Sequence, residues 1–129
     1  MADIRKVTDD FAVAPQLRPE DMAEAARLGY RLVINNRPDN EAAGQPTSAE
    51  MAAAAHAAGL GYVHVPVVGV PVLTAVEAMH DAVKHAHGPV LAFCRSGTRS
   101  IITWSLGQLE KGDRPSAELV KLAHDAGYD

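Results

Sequence analysis

The chain reads as a single α/β domain with a mostly parallel sheet and helices on both faces. Three observations carry that reading. Short, largely apolar runs at residues 30–34, 62–65 and 90–93 alternate with segments of helical length, the order that builds parallel sheets through helical crossovers. Thr47/Glu50 and Thr74/Glu77 have the Thr-x-x-Glu form of capping boxes, which mark helix starts between those runs. Gly29, Gly59 and Gly88-Pro89 stand where the helical segments must stop, as residues that terminate helices do.

Residues 4–7 and 11–13 read as two short strands turned by Thr8-Asp9-Asp10. Arg18-Pro19-Glu20-Asp21 looks like a helix start, with Pro at the first helical position and acids in the first turn, and that helix ends at Gly29. The run 30–34 is then a buried parallel strand. Residues 35–46 are too rich in Asn, Pro, Asp and Gly to be regular. The first capping box opens an Ala-rich helix to Gly59, whose small side chains suit close packing on the sheet and which is assigned no chemistry. Strand 62–65, the connection 66–73, a helix from the second capping box to Gly88-Pro89, and strand 90–93 follow. A helix over about 100–111 comes next, and Gly112-Asp113-Arg114-Pro115 turns into a last helix ending near Gly127. Ligands bind beyond the carboxyl ends of parallel strands, so connections 35–46, 66–73 and 94–99 converge on one edge.

At 129 residues the chain is long enough to bury one core, spanning 1–129 as one domain, and 47% apolar with 22% charged residues is a soluble composition. A net charge of -4 with scattered Lys and Arg argues against a nucleic-acid partner. No leader-like or membrane-spanning apolar stretch is present, and a lone cysteine fits a reducing cytoplasm. The oligomeric state is left open.

That cysteine opens Cys94-Arg95-Ser96-Gly97-Thr98-Arg99, directly after the apolar run Val90–Phe93 and before a helical pattern. Strand, tight turn and helix start are the parts of an anion-binding nucleophile loop. The turn's amides and the helix's positive end both favour a negatively charged sulfur. Cys94 is the expected nucleophile. Gly97 can take the positive φ that a tight ring of amides needs, and Arg99 can fork two N–H groups onto an oxyanion. Ser100 stands where its hydroxyl can reach the sulfur, and Arg95, Ser96, Gly97 and Thr98 line the ring. Arg37 and Asp39, in the converging 35–46 connection, are further candidates for contact with an anionic substrate. For Arg37 a salt-bridged surface role is the equal alternative. His80, His85 and His87 lie near one another in sequence without a metal-binding spacing, so no metal or other cofactor is expected and the histidines are read as solvated. His64 reads as a hydrogen-bonded sheet residue, and Trp104, Ile101 and Leu106 as core.

The loop Cys-Arg-Ser-Gly-Thr-Arg-Ser resembles that of rhodanese-type sulfurtransferases and is a shortened version of the cysteine-dependent phosphatase loop. The wider pattern, Val33-Ile34-Asn35-Asn36-Arg37-Pro38-Asp39 and Val65-Pro66-Val67-Val68-Gly69, is similar to small bacterial domains of the beta-lactamase hydrolase-like family. That resemblance, covering roughly residues 4–110, implies a cysteine-phosphatase-like fold of the dual-specificity type, with Cys94 as nucleophile and Arg99 as oxyanion clamp.

Two departures from the phosphatase pattern bear on activity. Four residues separate Cys94 from Arg99 where phosphatases of this type have five, and the connection 66–73, which in those enzymes brings an aspartic general acid, holds no titratable side chain. Both suit a single sulfur better than a phosphate ester. The leading expectation is therefore a sulfurtransferase that passes sulfane sulfur from thiosulfate or a small persulfide to a thiol acceptor through a Cys94 persulfide. The alternatives are a phosphatase acting through a Cys94 phosphocysteine, with Asp39 or Glu41 as substitute acids, and a non-catalytic oxyanion-binding module.

Overall fold

The computed structural model describes residues 2–129. Five strands, β1 (Arg5–Lys6), β2 (Phe11–Ala14), β3 (Leu32–Asn35), β4 (Gly61–His64) and β5 (Val90–Phe93), form one sheet in the order β1-β2-β5-β3-β4. Among the described residues only the β1–β2 pair is antiparallel. Helices α1 (Asp21–Arg27) and α2 (Ser48–Ala57) pack on one face, and α3 (Leu73–Lys84), α4 (Thr98–Glu110) and α5 (Ser116–Asp125) on the other. The fold is the expected α/β class.

Strand side chains alternate between two cores, as a pleated sheet requires. Val90 and Ala92 face one core with Phe11, Val13 and Ile34; Leu91 and Phe93 face the other with Ala12, Ala14 and Val33. Because β2, β3 and β5 are covered on both faces, nearly all their residues are apolar and buried. Phe11 stacks on Trp104 with ring centroids 4.7 Å apart and planes 8° from parallel, so Trp104 joins β2 to α4.

Thr47 and Glu50 form the expected capping box at α2. The second one does not form. Val72, in extended conformation, is the residue before α3, and the helix begins at Leu73, which leaves Thr74 inside the first turn with no amide to cap. Strand β3 starts at Leu32 rather than residue 30, because the Tyr30 N–H bonds back to the Ala25 carbonyl and closes α1 around Gly29 at φ 97°. Leu106 is not core but is 39% exposed on the outer side of α4. His80 is not solvated: Gly107 lets α4 approach until a Cβ there would lie 3.2 Å from the His80 Cβ. The covered imidazole instead pairs through Nε2 with Asp113 at 2.8 Å. Among the described residues no helix is long and apolar enough to cross a membrane, and no group of three His, Cys, Asp or Glu residues is placed to hold a metal ion.

Candidate active site at the Cys94 loop

Strand β5 runs between β2 and β3 and delivers Cys94, fully buried, at its carboxyl end. Gly97 adopts φ 94° ahead of α4, a conformation costly for any side-chain-bearing residue. Its N–H donates to the Cys94 Sγ at 3.1 Å. The loop's outer edge is pinned by its carbonyls: Arg95 O accepts from Gln16 N at 3.2 Å, and Ser96 O accepts from the Tyr128 hydroxyl at 3.0 Å. In a trans peptide the N–H points opposite to the C=O, so carbonyls held outside turn the amides of Ser96 and Gly97 inward. Among the described residues no protein acceptor pairs with the amides of Arg95, Ser96, Arg99 or Ser100. With the positive end of α4 they make a cradle for an anion.

Arg99 is engaged by protein. Its guanidinium grips Glu41 in a fork, Nη1 and Nη2 each donating to a carboxylate oxygen at 2.8 Å, while Nη1 also reaches the Val67 carbonyl at 2.8 Å. Arg37, with a side chain only 6% exposed, donates from Nε to the same carboxylate at 2.9 Å and from Nη1 to Gln16 Oε1 at 2.9 Å. Connections 35–46, 66–73 and 94–99 thus meet, as expected, in one network. The Arg99 hydrogen bonds, followed by those from Arg37, hold the Glu41 carboxyl down at about 2 against the opposing effect of desolvation. Arg99 is in turn kept more firmly protonated, chiefly by Glu41 and to a lesser degree by the nearby Cys94 sulfur. Held by both arginines, a carboxyl so firmly ionised has no proton to give near neutral pH.

Asp39 is occupied elsewhere, accepting the Ser48 N–H at 2.7 Å at the start of α2. Arg37 is no surface residue: its backbone is fixed by Asn35 Oδ1, which accepts the Arg37 N–H at 2.8 Å, and by His64, whose Nε2 lies 2.8 Å from the Arg37 carbonyl oxygen. That bond makes His64 the satisfied sheet residue expected of it. Ser100 departs from expectation. Its hydroxyl is buried in the first turn of α4 and makes no hydrogen bond among the described residues, so the bond to the Cys94 sulfur is not formed. Ser96 and Thr98 share a hydroxyl–hydroxyl bond of 3.0 Å at the start of α4, and Arg95 projects into solvent.

Sequence reasoning missed the anchoring of the loop by Gln16 and Tyr128, and the bridging of two arginines by Glu41. For Glu41 the one available signal was its place in a connection that converges on the loop. Neither anchor has one, since each reaches the loop only through the fold.

Comparison with known proteins adds the relatives. Residues 3–111 match the family model described as beta-lactamase hydrolase-like protein, phosphatase-like domain. The chain is 36% identical over 124 residues to a beta-lactamase hydrolase-like protein of Xylella fastidiosa strain Temecula1 and 30% identical over 125 residues to one of Agrobacterium fabrum. These matches cover 95% and 96% of this chain but 29% of each relative, so the chain spans less than a third of their length. Among solved structures, a candidate phosphatase from Neisseria meningitidis Z2491 superimposes with a TM-score of 0.85 at 34% identity, over 98% of this chain and 89% of that one. Kinase associated phosphatase shares the fold with a TM-score of 0.75 at 12% identity, over 98% of this chain and 83% of that one. A cysteine-phosphatase-like fold with its cysteine loop at the end of the central strand, and a family match over most of the chain, lead to one assignment: the chain belongs to the beta-lactamase hydrolase-like family, as its phosphatase-like domain.

Proposed function

We propose that this domain is a cysteine-dependent phosphatase that works through a phosphocysteine at Cys94 and favours aryl phosphates. The observation that carries the reading is the Gly97 N–H directed at the Cys94 sulfur from a loop whose Arg95, Ser96, Arg99 and Ser100 amides have no protein acceptor among the described residues. In the first step the sulfur attacks phosphorus and the ester P–O bond breaks, the leaving group departing as its anion. Loop amides and Arg99 hold the phosphoryl oxygens, Arg99 exchanging Glu41 for substrate. Water then attacks phosphorus and the S–P bond breaks, releasing phosphate, while the Gly97 N–H stabilises the departing thiolate. Arg37 adds positive charge beside Arg99 through their shared carboxylate, Glu41.

Connection 66–73 offers no proton donor, and Glu41, which Arg37 still holds when Arg99 turns to substrate, stays ionised. Phenolates leave without protonation far more readily than alkoxides, which is why aryl esters are the favoured class. The expected sulfurtransferase yields to this reading because the family and the solved neighbours are phosphatase-like. Sulfur transfer through a Cys94 persulfide stays as the second reading on two observations, the four-residue spacing of Cys94 and Arg99 and the same lack of an acid, since thiolates and sulfite need none. Either reaction would suit a reducing cytoplasm and a small anionic substrate, with no nucleic acid or membrane as partner.

Parallel assays on wild type and Cys94→Ser decide between them. Cys94-dependent hydrolysis of an aryl phosphate that outpaces sulfur transfer from thiosulfate or glutathione persulfide supports the phosphatase. A single-sulfur mass gain on Cys94 with acceptor turnover and no phosphatase activity supports the second reading. Inactivity in both assays leaves neither standing.

A further inference from the structure

The peptide between Ser96 and Gly97 has both of its polar ends engaged. Its N–H, on Gly97, faces the Cys94 sulfur at 3.1 Å, and its C=O, on Ser96, accepts the Tyr128 hydroxyl at 3.0 Å. A planar trans peptide moves as a unit, so whatever holds the carbonyl also aims the amide. Tyr128 lies 32 residues further along the chain, just past α5, and is 8% exposed. The contact is close and shaped: a Cβ on Gly97 would overlap the Tyr128 hydroxyl. The ring is supported from behind. The Arg5 guanidinium sits 5.1 Å from its centroid, and Asp3 holds that guanidinium at 2.9 Å. A cation over a phenol ring draws electron density from the hydroxyl and strengthens it as a donor.

We propose that Tyr128 is a positioning residue for the Cys94 loop: by holding the Ser96 carbonyl it fixes the peptide whose N–H faces the nucleophilic sulfur, with Arg5 as the support behind its ring. Tyr128 does not touch the reacting atoms. Its effect passes through one peptide plane, which without it is free to rotate and withdraw the Gly97 N–H. Burial pushes the phenol's proton affinity up, so the hydroxyl remains a donor across the neutral range. The loop is thereby tied to β1 and to the segment after α5, far from it in sequence.

The consequence for turnover rests on the phosphatase reading, whereas the consequence for the sulfur does not, so two readouts separate them. Tyr128→Phe keeps the ring and removes only the hydroxyl. It is expected to slow alkylation of Cys94 by iodoacetamide at neutral pH about fivefold, the scale of one neutral hydrogen bond. On an aryl phosphate, kcat is expected to fall by a similar factor with KM changed less than twofold. Arg5→Gln shifts both readouts in the same direction by a smaller factor, and it serves if Tyr128→Phe fails to fold. Thermal midpoints separate general loosening from local misdirection. Wild-type alkylation rates in both variants overturn the proposal, whatever the phosphatase assay gives. Slowed alkylation in an enzyme that hydrolyses no phosphate ester keeps Tyr128's role and removes the phosphatase reading instead.

Discussion

Replacing Glu41 by Gln removes the charge that two arginines share while leaving one acceptor oxygen in place. The fall of this carboxyl from its ordinary 4.5 to about 2 corresponds to an unscreened bound of about 3 kcal/mol, at ~1.4 kcal/mol per pH unit. The Glu41 side chain is 28% exposed, and water screens such a pair, so we expect about 1–2 kcal/mol in solution. For a domain of this size that lowers Tm by roughly 4–8 °C at neutral pH. The pH dependence supplies the sharper test. A carboxyl depressed in the folded state contributes its full stability above its unfolded value of 4.5 and loses it as pH falls through about 2. Wild type minus Glu41→Gln, measured by urea unfolding, should therefore be constant from neutral pH down to about pH 5 and shrink steadily below that. It should also narrow in 1 M salt. A difference that persists unchanged as pH falls from 4.5 to about 2, or is missing at neutral pH, refutes the Arg99–Glu41–Arg37 argument.

Thr47→Ala should cost about 1 kcal/mol of unfolding free energy through its lost cap, whereas Thr74→Ala, at a position with no capping bond, should change the denaturation midpoint hardly at all. Leu91→Ala, fully buried at the middle of β5, should destabilise by about 3 kcal/mol, read from chemical denaturation with an unchanged m-value. Across a series of aryl phosphates, log kcat/KM should rise steeply as the leaving phenol becomes more acidic, because no proton donor buffers its departure. A flat dependence would reveal an acid that the Cys94 site lacks.

Strand positions were legible because the central strands carry uninterrupted apolar runs, and Val90–Phe93 followed by Cys94 announced the loop without tertiary information. Gly97 was legible for the same reason, a local turn needing a positive φ. Thr47 and Thr74 show where local signals stop. Both head a Thr-x-x-Glu pattern, but Val72 already holds the extended conformation that precedes α3, and the helix enters one residue ahead of Thr74. The assignment of Arg99 to an oxyanion considered only the loop that carries it. Its carboxylate partner, Glu41, arrives from 58 residues earlier. Gln16 and Tyr128 were out of reach altogether, since hydrogen bonds to backbone carbonyls leave no side-chain pattern in the sequence.

The placement of β5 between two parallel neighbours divides the candidate site into parts that are differently anchored. The nucleophile hangs from a strand bonded on both sides, which cannot peel away without parting the sheet at its middle, and such strands open only with the whole domain. Arg37 and Glu41 ride on a connection outside the sheet, where a shift breaks no strand pairing. Any adjustment to an occupant of the cradle therefore falls to that outer connection, while the sulfur stays a fixed point against which it adjusts.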